Sequence, residues 1–297
     1  MHDPKISLAV RLRARPIAYF MEAHNGVSAK IVAEAGFDGI WASGLAISSA
    51  LGVRDCNEAS WTQVVRVVET ICDAAARARV LVDGDSGFGN YNNVRHFTQK
   101  IARVGADGVC FEDKLYPKLN SLIGGRQALA TMEEFCGKIK AAVDSRLDPS
   151  FCIIARTEAL VCGRDMPEAL TRASAYADAG ADAVMIHSTA SSADEVLEFA
   201  RQWNERLPLL IAPTTYYAAL SRVDLSSHAI DGVIWANHNL RASICAMQKI
   251  TRLIRHFNDV QPASEMLADV NEVFRLFDYD ELATSAMKYL PKSAKHE

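Results

Sequence analysis

Short apolar runs alternate with longer amphipathic stretches along this chain. Four of the runs are Ile17-Ala-Tyr-Phe-Met21, Val80-Leu-Val-Asp83, Phe151-Cys-Ile-Ile-Ala155 and Leu209-Leu-Ile-Ala212. Four more grow out of a recurring phrase: Ala35-Gly-Phe-Asp-Gly-Ile-Trp41, Val104-Gly-Ala-Asp-Gly-Val-Cys110, Ala179-Gly-Ala-Asp-Ala-Val-Met185 and the shorter Ile230-Asp-Gly-Val-Ile-Trp235. Each phrase follows a helical pattern, and its first Gly is the residue expected to end that helix in a left-handed cap. Gly36, Gly105 and Gly180 are 69 and 75 residues apart, about two strand-helix units per step. Helical spacing over 61–78, 94–104, 132–143 and 166–179 fills the intervals. Apolar strands separated by helices predict parallel pairing with both faces covered. Eight such units predict an α/β fold, a closed (β/α)₈ barrel of the TIM type. An open doubly wound sheet is the alternative, weakened because no GxGxxG follows the first strand.

The tail exceeds an eight-unit count. Val270, Val273, Phe274 and Phe277 lie at helical spacing, which predicts extra helices over 269–276 and 280–290 with an apolar face to bury, on the same barrel or on a neighbouring subunit. We therefore read 1–297 as a single barrel domain with 258–297 as a helical extension.

Composition narrows the function classes. With 297 residues, 49% hydrophobic and 23% charged, the chain can bury a large core. A net charge of −4 and the lack of a basic run argue against a nucleic-acid partner. No apolar run reaches membrane-spanning length, and residues 1–15 are polar and mixed, without a signal-peptide core. Of seven cysteines, Cys72, Cys110, Cys136 and Cys152 sit in apolar patterns and no CxxC occurs, the usage of reduced core thiols in a cytoplasmic protein.

In such a barrel the chemistry gathers where strands end. Strand 3 runs into two acids, Asp83 and Asp85, and then into the loop Ser86-Gly-Phe-Gly-Asn90. Alternate strand residues share a side, so the two carboxylates are expected side by side, where they repel unless a proton or a hard cation intervenes. A solvated Asp-Gly turn is the plainer reading. The other strand ends add Glu22-Ala-His-Asn25, Trp41-Ala-Ser-Gly-Leu45, Phe111-Glu-Asp-Lys114, Arg156-Thr-Glu158, His187-Ser188, Pro213-Thr214 and Asn237-His-Asn239. Asp83, Asp85 and Glu112 suit Mg²⁺, directly or through waters. Ser43-Gly44-Leu45 offers backbone N–H groups for a carboxylate, and Arg156 a two-pronged partner for a carboxylate or phosphoryl group. The set points to a small α-oxo or enol acid carrying a second anionic group.

Five stretches are long and specific: Glu22-Ala-His-Asn-Gly26, Gly52-Val-Arg-Asp-Cys-Asn-Glu-Ala-Ser-Trp-Thr-Gln63, Glu112-Asp-Lys-Leu-Tyr-Pro-Lys-Leu-Asn-Ser121, Ala155-Arg-Thr-Glu-Ala159 and Ile234-Trp-Ala-Asn-His-Asn-Leu-Arg-Ala242. Through them the chain resembles the isocitrate lyase / phosphoenolpyruvate mutase superfamily, and its mutase branch in particular. The resemblance implies a (β/α)₈ barrel whose last helix is exchanged between subunits of a dimer of dimers. It implies Mg²⁺ and the interconversion of phosphoenolpyruvate with phosphonopyruvate, with a second enzyme, a decarboxylase, consuming the phosphonopyruvate. By the same resemblance Asp83 is the direct metal ligand, with Asp85 and Glu112 acting through metal-bound waters. Ser43, Gly44 and Leu45 cradle the substrate carboxylate beside Trp41. Asp55 lies over the reacting group, Arg156 and His187 contact substrate oxygens, and Lys118, Asn120 and Ser121 belong to a gating loop. The Gly124-Gly125 pair just after Ser121 reads as a hinge for such a loop or as an ordinary turn.

The loop after strand 4 separates the superfamily's chemistries. Its carbon–carbon lyases carry Lys-[Lys/Arg]-Cys-Gly-His, whereas Lys114-Leu-Tyr-Pro-Lys-Leu-Asn-Ser121 has no Cys. Phosphonopyruvate hydrolase tends to have Thr where this chain has Asn120, which leaves the mutases as the nearer match and the hydrolase as the alternative. A barrel that kept the fold without catalysis is the rival from another class. The family's metal stretch usually reads Asp-Ala-Asp-Thr-Gly-Tyr-Gly-Asn. Here Gly84 and Ser86 replace Ala and Thr, and Gly84 is expected to loosen the strand end.

Overall fold

The recurring phrase has a structural meaning that its glycines alone do not convey. In the computed structural model, which describes residues 6–14, 16–124, 127–204, 206–220, 225 and 227–291, the glycines Gly36, Gly105 and Gly180 take φ of 78°, 98° and 101°, the left-handed caps expected of them. The Asp two residues later does different work. Asp38, Asp107, Asp182 and Asp231 each accept a backbone N–H from the preceding strand, from Tyr19 (2.9 Å), Val80 (2.8 Å), Ile153 (2.8 Å) and Leu209 (2.9 Å) respectively. A strand at the barrel's N-terminal mouth starts with unpaired donors, and a carboxylate from the next unit satisfies one of them. The phrase therefore recurs before alternate strands because it joins strands in pairs.

The eight strands are β1 (Ala18–Ala23), β2 (Gly39–Ala42), β3 (Arg79–Asp83), β4 (Gly108–Glu112), β5 (Cys152–Thr157), β6 (Ala183–Ile186), β7 (Leu209–Ile211) and β8 (Gly232–Trp235). All pair in parallel and in sequence order, and β8 closes on β1 with Ala18 opposite Gly232 and Met21 opposite Trp235. The predicted closed barrel is the observed one, and the open-sheet alternative falls. Between the strands run α2 (Gly26–Glu34), the short α3 (Gly44–Ala50), α4 (Trp61–Ala74), α5 (Tyr91–Arg103), α6 (Met132–Ser145), α7 (Met166–Asp178) and α8 (Asp194–Trp203). Their starts are written in capping residues: Asn25, Ser60 and Asn90 close capping boxes, and Thr131 and Asp165 accept a single N–H.

The N-terminal stretch, read as polar and mixed, holds an element that the sequence did not predict. Residues 8–13 form α1 (Leu8–Arg13), whose Leu8 and Leu12 are fully buried with Phe20, Trp41, Leu81, Ile154 and Ile234 inside the barrel. A Cβ on Gly108 would meet Leu8 at 3.1 Å and one on Gly232 would meet Leu12 at 3.3 Å, so two strand glycines make room for this plug. With one mouth filled by apolar side chains, polar groups can gather only at the other, where the strands end.

The chain divides into two compact units, one reaching to Leu240 and one from Arg241 onward. The second holds most of the helix His238–Phe257, a 3₁₀ turn Gln261–Met266 and the two predicted tail helices, Val270–Leu276 and Tyr279–Tyr289. Val270, Val273, Phe274 and Phe277 are exposed there, as are Leu282 and Met287. All seven cysteines are free thiols, with Cys110 and Cys152 buried and Cys72 and Cys136 half-buried. No helix among the described residues is long and apolar enough to cross a membrane.

Candidate active site

Asp83 is the last residue of β3 and Glu112 the last of β4. Arg156 is the penultimate residue of β5, paired in register with Glu112, and His187 follows β6. These four face one cavity at the C-terminal mouth, together with Trp41, Ser43, Leu45, Asp55, Lys118, Asn120 and Ser121. Every predicted site residue lines the cavity except Gly44 and Asp85, which stand directly behind it. A Cβ on Gly44 would lie 3.0 Å from Asp85 Oδ1 and 3.1 Å from Asp83 Oδ2. The condition on which the sequence reading turned, Arg156 facing the acids across a shared hollow, is met: its guanidinium lies 3.5 Å from Glu112.

Two local expectations change. Asp85 does not reach the site by strand alternation, since β3 stops at Asp83. A left-handed turn at Asp85, φ 47°, folds it back behind Asp83. Gly84 does not loosen the strand end either. Its N–H donates to Cys110 O at 2.8 Å, and a Cβ there would meet Val109 at 2.6 Å and Phe111 at 2.7 Å, so glycine is what lets the acidic turn lie flat on β4. The carboxylate cradle is also narrower than expected. The Ser43 N–H donates to Ala23 O and the Gly44 N–H to Asp83 Oδ2 at 3.2 Å. Leu45, which lines the cavity, is the member of the trio whose N–H no described residue claims, and the Ser43 hydroxyl stands beside it.

The loop after β4 lies over the cavity. Its ends are pinched by Lys114 and Leu129, which form an antiparallel bridge, with the Leu115 N–H on Ala128 O at 3.0 Å. Lys118 is buried: its ammonium reaches Asp55 Oδ1 at 2.5 Å and Asp85 Oδ1 at 3.1 Å. Asn120 donates to the other oxygen of Asp55 at 2.5 Å. Ser121 donates to Glu158 Oε2 at 2.7 Å and accepts from Lys114 at 2.6 Å and from Arg156 at 3.1 Å. The loop is thus held against the cavity by Asp55 and Glu158. Of the proposed hinge pair, Gly124 has open space around it and Gly125 lies outside the described residues.

Charge is distributed unevenly around this cavity. Burial pushes the Asp85 carboxyl up to about 8; the Lys118 ammonium opposes the shift and Asp83, Asp55 and Glu112 add to it. Burial likewise raises Glu112 to about 7, against the pull of Lys114 and Arg156. Asp85 Oδ1 receives no well-directed hydrogen bond despite its nearness to Lys118, and Glu112 Oε1 has no partner among the described residues. Crowded, desolvated, under-bonded carboxylate oxygens are what a hard divalent cation would relieve. The donor set therefore fits Mg²⁺. Among the described residues no three His, Cys, Asp or Glu side chains form a ready-made ligand cage.

Glu158 has the opposite environment. It is fully buried, yet its carboxyl is held well below the usual range: burial would raise it, but Arg156, His187 and Lys114 overcome that. Arg156 Nε and Lys114 Nζ both ion-pair with it. Its backbone N–H is fixed on Asp113, which also accepts from Tyr176 at 2.6 Å. Burial first, and then the Arg156 charge, lower His187, which favours the neutral ring. His187 Nδ1 stands 2.8 Å from Arg156 and 2.9 Å from Glu158, so with a proton it donates to Glu158 and without one it accepts from Arg156. Glu158 and Lys114 stood at strand ends in the sequence but were left out of the candidate set. The available signal was their position just past two apolar strands, because a lysine that is buried there needs a carboxylate partner.

Residues 9–255 match the sequence model of the phosphoenolpyruvate phosphomutase family. The chain is 47% identical over 271 residues to a phosphoenolpyruvate phosphomutase of Streptomyces hygroscopicus, covering 91% of this chain and 86% of that protein. The crystal structure of phosphoenolpyruvate phosphomutase from Streptomyces platensis subsp. rosaceus superposes with a TM-score of 0.93 at 39% identity, over 96% of this chain and 98% of that one. A phosphonopyruvate hydrolase in complex with oxalate and Mg²⁺ superposes with a TM-score of 0.89 at 34% identity, over the same shares of the two chains, 96% and 98%. On the strength of a match that runs from the barrel's plug past its last strand, the chain belongs to the phosphoenolpyruvate phosphomutase family.

Proposed function

We propose that this protein is an isomerase that interconverts phosphoenolpyruvate and phosphonopyruvate, with Mg²⁺ as cofactor. The observation that carries the reading is the two-sided cavity: Asp83 and Glu112 on one wall, Arg156 and His187 on the other, and a roof formed by Lys118, Asn120 and Ser121 of the loop after β4. In this reading Asp83 holds the ion directly and Asp85 and Glu112 hold it through waters. When bound, the ion supplies Lewis acidity and a template for the substrate's carboxylate and enol oxygen. The Leu45 N–H and the Ser43 hydroxyl receive the carboxylate, with Trp41 as floor. Arg156, neutral His187, Asn120 and Ser121 surround the phosphoryl oxygens. In one direction the P–C bond breaks with its electron pair left on the pyruvate enolate, and the enolate oxygen forms the new P–O bond. No proton or co-reactant is consumed. Such a loose transfer needs positioning and charge stabilisation rather than a covalent relay. Water at that moment would turn the isomerase into a hydrolase, and the closed roof excludes it. Asp55 keeps the roof shut through Lys118 and Asn120.

The same reading includes a homotetramer, a dimer of dimers with its last barrel helix exchanged, which the exposed apolar residues of the second unit favour. It includes a cytoplasmic setting and a phosphonopyruvate-consuming enzyme downstream in phosphonate biosynthesis. The test is ³¹P NMR of the protein with phosphonopyruvate and Mg²⁺. Appearance of phosphoenolpyruvate is expected. Inorganic phosphate and pyruvate alone would make it the hydrolase, and no turnover would make it a non-catalytic barrel.

A further inference from the structure

Asn57 touches both the roof and the acids, and the mechanism above assigns it nothing. It lies in the segment between α3 and α4 and has φ 60°, a left-handed conformation that Asn tolerates better than most residues. Its side-chain Oδ1 accepts the backbone N–H of Lys118 at 2.8 Å, and its Nδ2 donates to Asp85 Oδ2 at 2.9 Å. Chemistry fixes the amide's orientation: the backbone N–H of Lys118 can only donate, so the amide oxygen faces it and the amide nitrogen faces Asp85.

The neighbouring Asp55 also grips the loop, but through side chains at the tips of Lys118 and Asn120. Lys118 reaches Asp85 with its charge, a contact that a divalent cation would compete with. The Asn57 bridge differs from both. It is neutral, so an added cation does not oppose it, and it holds the loop by its main chain. Closing the loop places an N–H on Oδ1, which sets the plane of the amide, and that plane aims Nδ2 at Asp85. Fixing Asp85 from the cation side sets the same plane in reverse.

We propose that Asn57 is a positioning residue that couples closure of the 114–124 segment to the orientation of Asp85, and so to divalent-cation binding at the acidic wall. The proposal rests on the reading of that wall as the cation site. Coupling through one bridge is reciprocal: a bound cation favours the closed loop as much as the closed loop favours the cation.

The test is amide hydrogen exchange on the whole chain, wild type and Asn57→Gly, after chelation and again with saturating Mg²⁺, without substrate. Glycine keeps φ near 60° and removes only the bridge. In the wild type Mg²⁺ should slow exchange over 115–124 by about tenfold. In Asn57→Gly that response should vanish, while amides 109–111 in β4 exchange as in the wild type. A variant that keeps the Mg²⁺ response overturns the proposal. So does one whose β4 amides speed up together with the loop, since that is mere support of the fold. Wild-type turnover measured alongside separates the two failures. An active, Mg²⁺-dependent enzyme whose loop ignores Mg²⁺ overturns the coupling alone. A wild type without Mg²⁺-dependent turnover overturns the reading beneath it.

Discussion

The two walls of the cavity are equally buried and carry opposite electrostatics. On the β3–β4 wall, Asp85 and Glu112 are pushed up to about 8 and 7, and each has an oxygen without a proper donor. On the β5–β6 wall, Glu158 is held well below the usual carboxylate range by Arg156, His187 and Lys114, with Ser121 as a further donor. Burial raises all three acids, so burial cannot be what distinguishes them. Direct partners are: Glu158 ion-pairs with Arg156 and Lys114 and is bonded by His187 and Ser121, whereas Asp85 and Glu112 each keep an oxygen without a donor and Asp85 lies among Asp83, Asp55 and Glu112. The first wall is short of positive charge and is built to receive it. The second is complete in itself and holds its arginine in a fixed pose before any ligand arrives.

Two substitutions attack this contrast where it is strongest. Asp83→Ala removes the proposed direct ligand from the deficient wall. Mg²⁺-dependent turnover should fall by about 10³-fold or more, while circular dichroism and the melting profile of the chelated protein stay near wild type, because Lys118 and Arg156 keep their direct ion pairs with Asp55, Asp85, Glu112 and Glu158. Near-normal turnover would take the ion off this wall. Glu158→Gln does the reverse. It strands Arg156 and Lys114 without their shared carboxylate, and breaking a buried pair from one side costs about 3–5 kcal/mol. Urea denaturation should show that loss, and added Mg²⁺ should not restore it. Full rescue by Mg²⁺ would mean that the two walls are a single charge system.

How far the sequence disclosed this depends on the range of each interaction. Eight strands were legible because burial on both faces writes a continuous apolar run, and helix ends were legible because a left-handed glycine cap is a local signal. The acids and Arg156 were legible because strand ends share a rim. Resemblance supplied Asp55, Lys118 and Asn120, which no periodicity marks. Asn57 stayed hidden because its two partners are 61 and 28 residues away. Glu158 stayed hidden because one carboxylate collects partners from β5, β6 and the loop. The helix α1 was missed because six residues with two buried leucines look like any polar leader until the barrel mouth is there to receive them.

Gly84 tests the deficient wall through packing rather than charge. A methyl group there meets Val109 and Phe111 in the core, and overpacking costs about 1–3 kcal/mol. Gly84→Ala should lower stability by that amount and weaken Mg²⁺ binding measured by calorimetry, since the turn carrying Asp85 must lift off β4. Unchanged stability would show that Phe111 yields freely, and the strand end would be looser than its contacts imply.

The smallest effect is the most discriminating. Asp85 and Glu112 are raised from 3.8 and 4.5 in the unfolded chain, so in chelated protein the stability they contribute is fully present below about pH 4 and is lost as pH rises through 7 and 8. Glu158 runs the other way: its contribution is present above 4.5 and is lost only as pH falls through its depressed folded value. At pH 7 Asp85 is largely protonated in the chelated fold, and Asn is close to its isostere. Below about pH 4, where Asp85 is protonated in both states, Asp85→Asn should therefore change stability by less than about 1 kcal/mol; at pH 7 the variant should be the more stable protein, because its unfolded chain gains nothing from ionising, and the decline of stability between about pH 4 and 8 should flatten in urea titrations. Wild type at pH 7 should release protons when Mg²⁺ is added, and the variant should release fewer. If Asp85→Asn instead destabilises the chelated protein as much as Glu158→Gln does, Asp85 is already neutralised by Lys118, the first wall is no shorter of positive charge than the second, and the physical case for a cation there is lost.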